Sequence, residues 1–404
     1  MKNIAIVAPC WVPLDCYNNL NLKDTSLEYI DGIANRIIHI IDNLSKKPSF
    51  NITVFIPDSE YNKNLTIDLD SLPFKVSFYN AASATWLWSD ELERKLKSFD
   101  FVITYPNYGI GLCNIANLPS GINIIVDGFV PVLAETACSL LGISKNLRKF
   151  HWERFLKQYS DLLLRANCIL YATTSQYYYY EGIFNSIDKL NWSAFQFSPL
   201  LEVPYGFNQN PHLKKTNTTG KKLKLLWNGP VYPWYDPEKL IYTAQENQNI
   251  DFTFINIVHH RFKKQFKNYF KKFFNDAAYL SNIIIHEDGI YNKHDLFAEH
   301  DAVILNVRSW IEDKYAIRCR LYDAVSYGCP VLVNTANSFY KAFSNYENVV
   351  HTFNSDSSAD VINLSKFIEN KGALNISEET HSCLLNDNSW DKAIKPLIDY
   401  MDKV

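Results

Sequence analysis

The sequence predicts an α/β protein of two successive doubly wound domains, and three observations carry that prediction. The chain has 404 residues, 47% hydrophobic and 21% charged, enough for two cores of roughly 150 to 200 residues each. Short apolar runs recur between amphipathic stretches without the alternation of a half-solvated strand, as expected of strands buried on both faces of a parallel sheet. A polar, aperiodic stretch, "LKKTNTTGKK" at 213 to 222, then divides the series in two, after which the pattern restarts.

Taken in order, the first series is "IAIVAP" at 4 to 9, "ITVFIP" at 52 to 57, "FVITYP" at 101 to 106, "INIIVDG" at 122 to 128 and "CILYATT" at 168 to 174. Helical periodicity separates these runs, for example Ile30 to Leu44 and His151 to Ala166. The second series is "LKLLWNG" at 223 to 229, "DFTFINIV" at 251 to 258, "NIIIHEDG" at 282 to 289, "DAVILNV" at 301 to 307 and "PVLVNT" at 330 to 335. Residues 1–210 are expected to form one domain and 222–385 the other, joined near 209 to 221. The tail 386–404, with "SWDKAIKPLIDYMDKV", reads as a helix able to pack back on the first domain. Ligands of doubly wound sheets collect beyond the carboxyl ends of the strands, so the two domains should face one another across a cleft.

A formal charge of -3 and a pI near 6.4 argue against a protein built around nucleic-acid phosphates. Eight cysteines stand singly, without a C-x-x-C pair or a zinc spacing, and read as reduced thiols of a cytoplasmic protein. Pro9 and Pro13 interrupt the first apolar run and no small-residue cleavage site follows, so it reads as a buried strand rather than a signal peptide. No window approaches 18 consecutive apolar residues, and no membrane span is expected.

Several segments carry chemical potential. In "EDKYAIRCRLYDAVSYGCPVLV", 312 to 333, a helix from about Lys314 to Tyr327 would turn its N-terminus, Arg318 and Arg320 toward an anion, a diphosphate being a natural ligand. Asp323, further along, could accept from ribose hydroxyls. The same residues also fit a solvated helix with an Arg320–Asp323 ion pair. In "LLWNGPVYPWYDPEKL", 225 to 240, Asn228 and Gly229 form a turn that lets backbone approach a ligand, and Asp236 fits an N-cap before Pro237. A structural strand-to-helix turn explains it equally. Asp127, at the carboxyl end of a buried strand, suits a catalytic or ligand-orienting acid, or a cap. "HHRFKKQFKNYFKKFF", 259 to 274, places Phe262, Phe266, Phe270 and Phe273 on one stripe, facing either the second sheet or an anionic membrane surface. His259 and His260 have no third ligand in view, so no metal is expected there. "QYYYYEGIF", 176 to 184, fits helix packing better than sugar stacking.

The ordered set "NIIVDGFVPV", "LLLRANCILYATTSQYYYYEGIF", "VPYGF", "LLWNGPVYPWYDPEKLI", "IEDKYAIRCRLYDAVSYGCPVLV" and "SWDKAIKPL" resembles the GT-B glycosyltransferases of retaining family four. More closely, it is similar to the branch found in bacterial surface-polysaccharide clusters. The similarity covers roughly residues 121 to 400. It implies two Rossmann-like domains, an acceptor side in the first and a donor side in the second. It also implies transfer of a sugar, with retention, from a nucleoside diphosphate sugar to a glycan or lipid-linked acceptor, without metal or other cofactor. The protein would work in the cytoplasm, with peripheral contact at the inner face of the membrane. By the resemblance, Asp127 stands beside the transferring sugar. Asn228, Gly229, Glu312, Arg318, Arg320, Asp323 and Gly328 fall on donor-site positions, with Asp323 at the ribose. The sequence departs from the family at Tyr315, where the wider family carries an acid, and at "CWVPLDCYNNLNLKD", 10 to 24, where a glycine pair is usual. A nucleotide-sugar epimerase or hydrolase of the same architecture, and a noncatalytic two-lobed nucleotide-sugar-binding protein, stay open beside the transferase.

Overall fold

The computed structural model describes residues 1–10, 12–19, 32–58, 65–79, 90–106, 117–141, 143–187, 200–210, 222–256, 260–286, 292–307, 311–334, 338–353 and 361–404. The linker positions 211–221, His259, and positions 11 and 20–24 of the 10–24 departure lie outside them.

The first sheet joins β1 (Lys2–Val7), β2 (Phe50–Pro57), β3 (Lys75–Tyr79), β4 (Phe101–Thr104), β5 (Asn123–Asp127), β6 (Cys168–Tyr171) and β7 (Leu200–Glu202) in the order β3-β2-β1-β4-β5-β6-β7. Every pairing is parallel. Its central strands are covered on both faces: Ile4, Ala5 and Ile6 are each 0% exposed, so odd and even side chains alike enter apolar layers. Those layers are built by α1 (Gly32–Ser45), α2 (Asp90–Leu96), α3 (Val132–Ser139), α4 (Lys145–Arg165) and α5 (Thr174–Ser186). Thr173 starts α5 by accepting from the Gln176 amide, satisfying one of the donors a helix start leaves open.

The second sheet joins β8 (Leu223–Asn228), β9 (Ile250–Ile255), β10 (Ile283–His286), β11 (Ala302–Leu305), β12 (Val331–Asn334) and β13 (Val350–Phe353) in the order β10-β9-β8-β11-β12-β13, again all parallel. Around it lie α6 (Glu238–Glu246), α7 (His260–Gln265), α8 (Lys267–Ala278), α9 (Lys293–Ala298), α10 (Ile311–Tyr315), α11 (Cys319–Ser326), α12 (Ser338–Phe343), α13 (Ser365–Glu369) and α14 (Glu378–Asp387). Phe266, Phe270 and Phe273 are buried, so the phenylalanine stripe seats on this domain's own core. The cap of α6 is Pro237, one residue later than expected, and Asp236 precedes it.

The last helix, α15 (Trp390–Lys403), buries Trp390, Ala393, Ile394, Leu397, Ile398 and Met401, a three-and-four spacing that gives one apolar face. It lies against α1, and Lys2 Nζ donates to the Met401 carbonyl at 2.5 Å. The chain thus crosses between domains twice, and the crossings lie side by side: Phe207 pairs with Ser389, and the Phe207 amide donates to the Asn388 carbonyl at 2.9 Å.

In each sheet the strand order reverses at one point, between β1 and β4 and between β8 and β11. The carboxyl edges of the two sheets are brought together by Gln176, whose Nε2 donates to the Phe129 carbonyl just after β5 (2.6 Å) and to the Tyr315 carbonyl in the other domain (2.8 Å).

Candidate functional site

On the first wall Asp127 ends β5 and is 1% exposed. Its Oδ2 accepts from Arg36 Nε at 2.7 Å, and both side chains are fully buried. Arg36 also donates to the Pro204 and Val203 carbonyls, each at 2.9 Å, and its guanidinium lies 4.9 Å from the centre of the Phe129 ring. The arginine is therefore fixed from three sides. Among the described residues Asp127 Oδ1 has no hydrogen-bond partner, and neither has the hydroxyl of Tyr105, which follows β4 at the switch point. Burial, then the charge of Asp127, raises the Tyr105 pKa well above its ordinary value, so this phenol is a neutral O–H donor. Ile33, Tyr105, Pro106, Asp127, Phe129, Val130 and Val132 enclose a small pocket at this edge.

On the second wall the expected helix 314–327 is two helices. The chain leaves helical conformation at Arg318 (φ -92°, ψ 78°) between α10 and α11. The reason is electrostatic: on one continuous helix Glu312 and Arg318 would point about 120° apart, whereas the break lets them meet. Arg318 donates to both oxygens of Glu312 (2.8 and 2.7 Å), to Asp313 and to Tyr235 Oη (3.0 Å). It is 6% exposed, with both its terminal nitrogens occupied by protein groups. Burial opposes its charge, yet the two acids hold its pKa well above the ordinary value.

Arg320 differs. Its guanidinium lies 5.8 Å from the Trp227 ring and 5.1 Å from the Tyr235 ring, and its Nη1 is buried without a partner among the described residues. It lies against the turn after β8, where Gly229 has φ +129°; a Cβ there would stand 2.8 Å from Arg320 Cζ. Both the backbone angle and the close approach require glycine. The two arginines and two acids around Tyr235 balance in charge, and among the described residues Arg320 keeps a buried terminal N–H left over while both terminal nitrogens of Arg318 are engaged.

The remaining expected positions divide. Asn228 ends β8 beside the switch point and is 5% exposed. Asp323 accepts from Lys293 Nζ at 3.0 Å rather than from Arg320. Gly328, φ +74°, donates to the Val325 carbonyl and turns the chain out of α11. It sits at the far end of that eight-residue helix from Arg320, about 12 Å along its axis. Tyr315, where the resemblance leads one to look for an acid, packs its ring on Tyr179 of the other domain, centroids 4.8 Å apart.

Sequence reasoning missed Arg36, Tyr105, Tyr235 and a row of asparagines at the second sheet's carboxyl edge. Asn256 Oδ1 accepts from the Val231 amide (2.9 Å), Asn306 Nδ2 donates to the Asp236 carbonyl (3.0 Å), and Asn334 Nδ2 donates to the Val307 carbonyl (2.8 Å). They tie the loops after β8, β9, β11 and β12 together, and among the described residues Asn306 Oδ1 is buried without a partner. The strand-end rule that found Asp127 also covers Tyr105 and Asn306. Arg36 announced itself only as a lone cation among the isoleucines of α1. Among the described residues, no group of three or more His, Cys, Asp or Glu is placed to hold a metal ion.

No family model and no curated protein matches the sequence. Solved structures do match over the whole length. Sucrose-phosphate synthase from Thermosynechococcus elongatus superposes with a TM-score of 0.66 at 10% identity, covering 100% of this chain and 99% of the other. HepE from Anabaena, in complex with UDP and glucose, gives 0.62 at 10% identity, covering 100% of both chains. A glycosyltransferase from Rickettsia africae gives 0.59 at 10% identity, covering 100% and 98%. The likeness is one of fold, and the fold is GT-B: two parallel-sheet α/β domains facing each other at their carboxyl edges.

Proposed function

We propose that the protein is a glycosyltransferase that moves a sugar from a nucleoside diphosphate sugar to a glycan or lipid-linked acceptor, with retention of configuration. Bacterial surface polysaccharide synthesis, in the manner of family four, is the setting its motifs favour. One observation carries the reading. Among the described residues, four buried polar atoms without partners stand at the facing carboxyl edges of the two sheets: Tyr105 Oη and Asp127 Oδ1 on one wall, Asn306 Oδ1 and Arg320 Nη1 on the other. Buried polar groups are nearly always satisfied, so a cluster that is not marks a place prepared for a ligand. The two signs suit the two halves of a nucleotide sugar.

In this reading Arg320 and the start of α11 stabilise the charge that grows on the departing diphosphate. Arg318 serves as the post that holds Tyr235 and thereby Arg320. Asp323 takes the ribose hydroxyls with the lone pairs Lys293 leaves open. Asp127 and Tyr105 orient hydroxyls of the sugar or the acceptor, and Asp127 can take the acceptor's proton. HepE is bound to UDP and glucose in its structure, which makes uridine the first base to try here.

Calorimetry with UDP, GDP and ADP and their hexose conjugates tests this. One nucleotide series should bind, Arg320→Ala should abolish the binding, and EDTA should leave turnover unchanged. Binding unaffected by Arg320→Ala overturns the site. Product analysis with donor alone separates transfer from hydrolysis or isomerisation.

A further inference from the structure

Exposed leucines scattered singly carry no message, but four of this protein's large exposed apolar side chains sit on one helix. On α4, Leu147 is 48%, Phe150 58%, Leu156 38% and Leu164 48% exposed. The core-facing side of that helix is Phe155, Tyr159, Leu162 and Leu163. Opposite it, Leu147, Phe150, Arg154, Lys157, Asp161 and Leu164 follow one another at steps of three and four, a continuous outward stripe. Residues 145–154 are exposed or half-buried along their whole length. Between 145 and 157 stand five cations, Lys145, Arg148, Lys149, Arg154 and Lys157, against a single acid, Glu153, which pairs with Lys149 at 3.7 Å in an exposed position.

A second basic element adjoins the first. Gln265, at the end of α7, donates to the Ser139 carbonyl (2.7 Å) and the Leu141 carbonyl (2.6 Å), fastening it to the turn that leads into α4. Leu141 is four residues before Lys145, within about 14 Å along the chain. Lys264, Lys267, Lys271 and Lys272 flank Gln265 and point outward, because the phenylalanines between them are buried. Nine cations from two domains therefore share one side of a chain whose formal net charge is -3.

We propose that this side of the molecule docks on an anionic lipid surface, with Leu147 and Phe150 entering the interface and the nine cations lying over the headgroups. Cations alone would suit any polyanion; the exposed phenylalanine and leucines on the same helix select a bilayer, whose interface takes up apolar side chains. A second copy of the chain is disfavoured because a symmetric contact would set the five α4 cations against the same five. The sequence pointed to the 259–274 helix through its phenylalanines. The structure keeps the lysines of that segment for the surface and moves the apolar anchor to α4.

Flotation of the full-length protein with vesicles of phosphatidylcholine, alone or mixed with phosphatidylglycerol, tests the proposal. Binding is expected only to the mixed vesicles and should weaken with salt. Phe150→Gln with Leu147→Gln should release the protein while leaving its melting temperature unchanged. Lys264→Gln, Lys267→Gln and Lys271→Gln together should lower affinity, roughly five-fold per charge removed. Absence of binding to the anionic vesicles, equal binding to both kinds, or binding indifferent to the Phe150 pair of substitutions overturns it. So does a concentration-dependent dimer that the same pair dissolves in a protein that ignores vesicles.

Discussion

The two walls of the cleft solve the same problem with opposite remainders. Each contains a buried arginine holding carboxylate. In the first domain Arg36 meets one acid, Asp127, and one carboxylate oxygen is left without a donor among the described residues. In the second, Arg318 is surrounded by two acids and a phenol, and the group left over is its neighbour Arg320. The first wall thus offers an acceptor and the second a donor. The difference teaches that position in a charge network, more than residue type, decides which arginine can serve a ligand: Arg318 and Arg320 are two residues apart, and among the described residues it is Arg320 that keeps a buried terminal N–H to give.

The comparison can be broken most severely at Arg36. Arg36→Ala strands a fully buried carboxylate, and urea unfolding should show a loss of about 3–5 kcal/mol, much of it recovered in Arg36→Met with Asp127→Leu. Gly229→Ala attacks the other wall through its backbone: at φ +129°, with Arg320 at 2.8 Å, it should cost about 1–3 kcal/mol and weaken nucleotide binding by displacing the guanidinium. Arg320→Ala should leave the unfolding midpoint nearly unchanged while lowering donor affinity roughly ten- to a hundred-fold by calorimetry. A matching stability loss would mean that Arg320 is structural, like Arg318.

The smallest effect concerns the first domain alone. Burial, against a hydrogen bond to Asn208, lowers the His39 pKa to about 3. The unfolded chain, with an ordinary value near 6.5, therefore binds the proton more readily than the native one. Stability should be full above pH 6.5 and fall as pH drops from there toward 3, by about 1 kcal/mol over the first unit. His39→Gln should flatten that part of the melting-temperature profile.

The fold was legible where strands are buried on both sides. β1, β2, β4, β5, β6, β8, β9, β11 and β12 all coincide with unalternating apolar runs. The strands missed, β3, β7 and β13, are three of the four edge strands, which lie under less apolar cover; the fourth, β10, kept a readable apolar run at Ile283–His286. The beginning of α4 was missed for a related reason: from Lys145 to Arg154 it buries nothing, so no core-facing periodicity exists to read. The split between α10 and α11 was hidden because a salt bridge reaching six residues back leaves no mark in helical spacing. At the site, strand-terminal position revealed Asp127 and Asn228. The pairing of Arg36 with Asp127 spans 91 residues, and only the folded chain displays it.

The paired crossings at Phe207 and Ser389 have a temporal consequence. The apolar face of α1 is closed by α15, some 350 residues later in the chain. The first sheet can assemble early on the ribosome, but that side of its helix layer stays uncovered until the second domain has been synthesised and the chain has returned. The second domain is thus, in time, an insertion within the first.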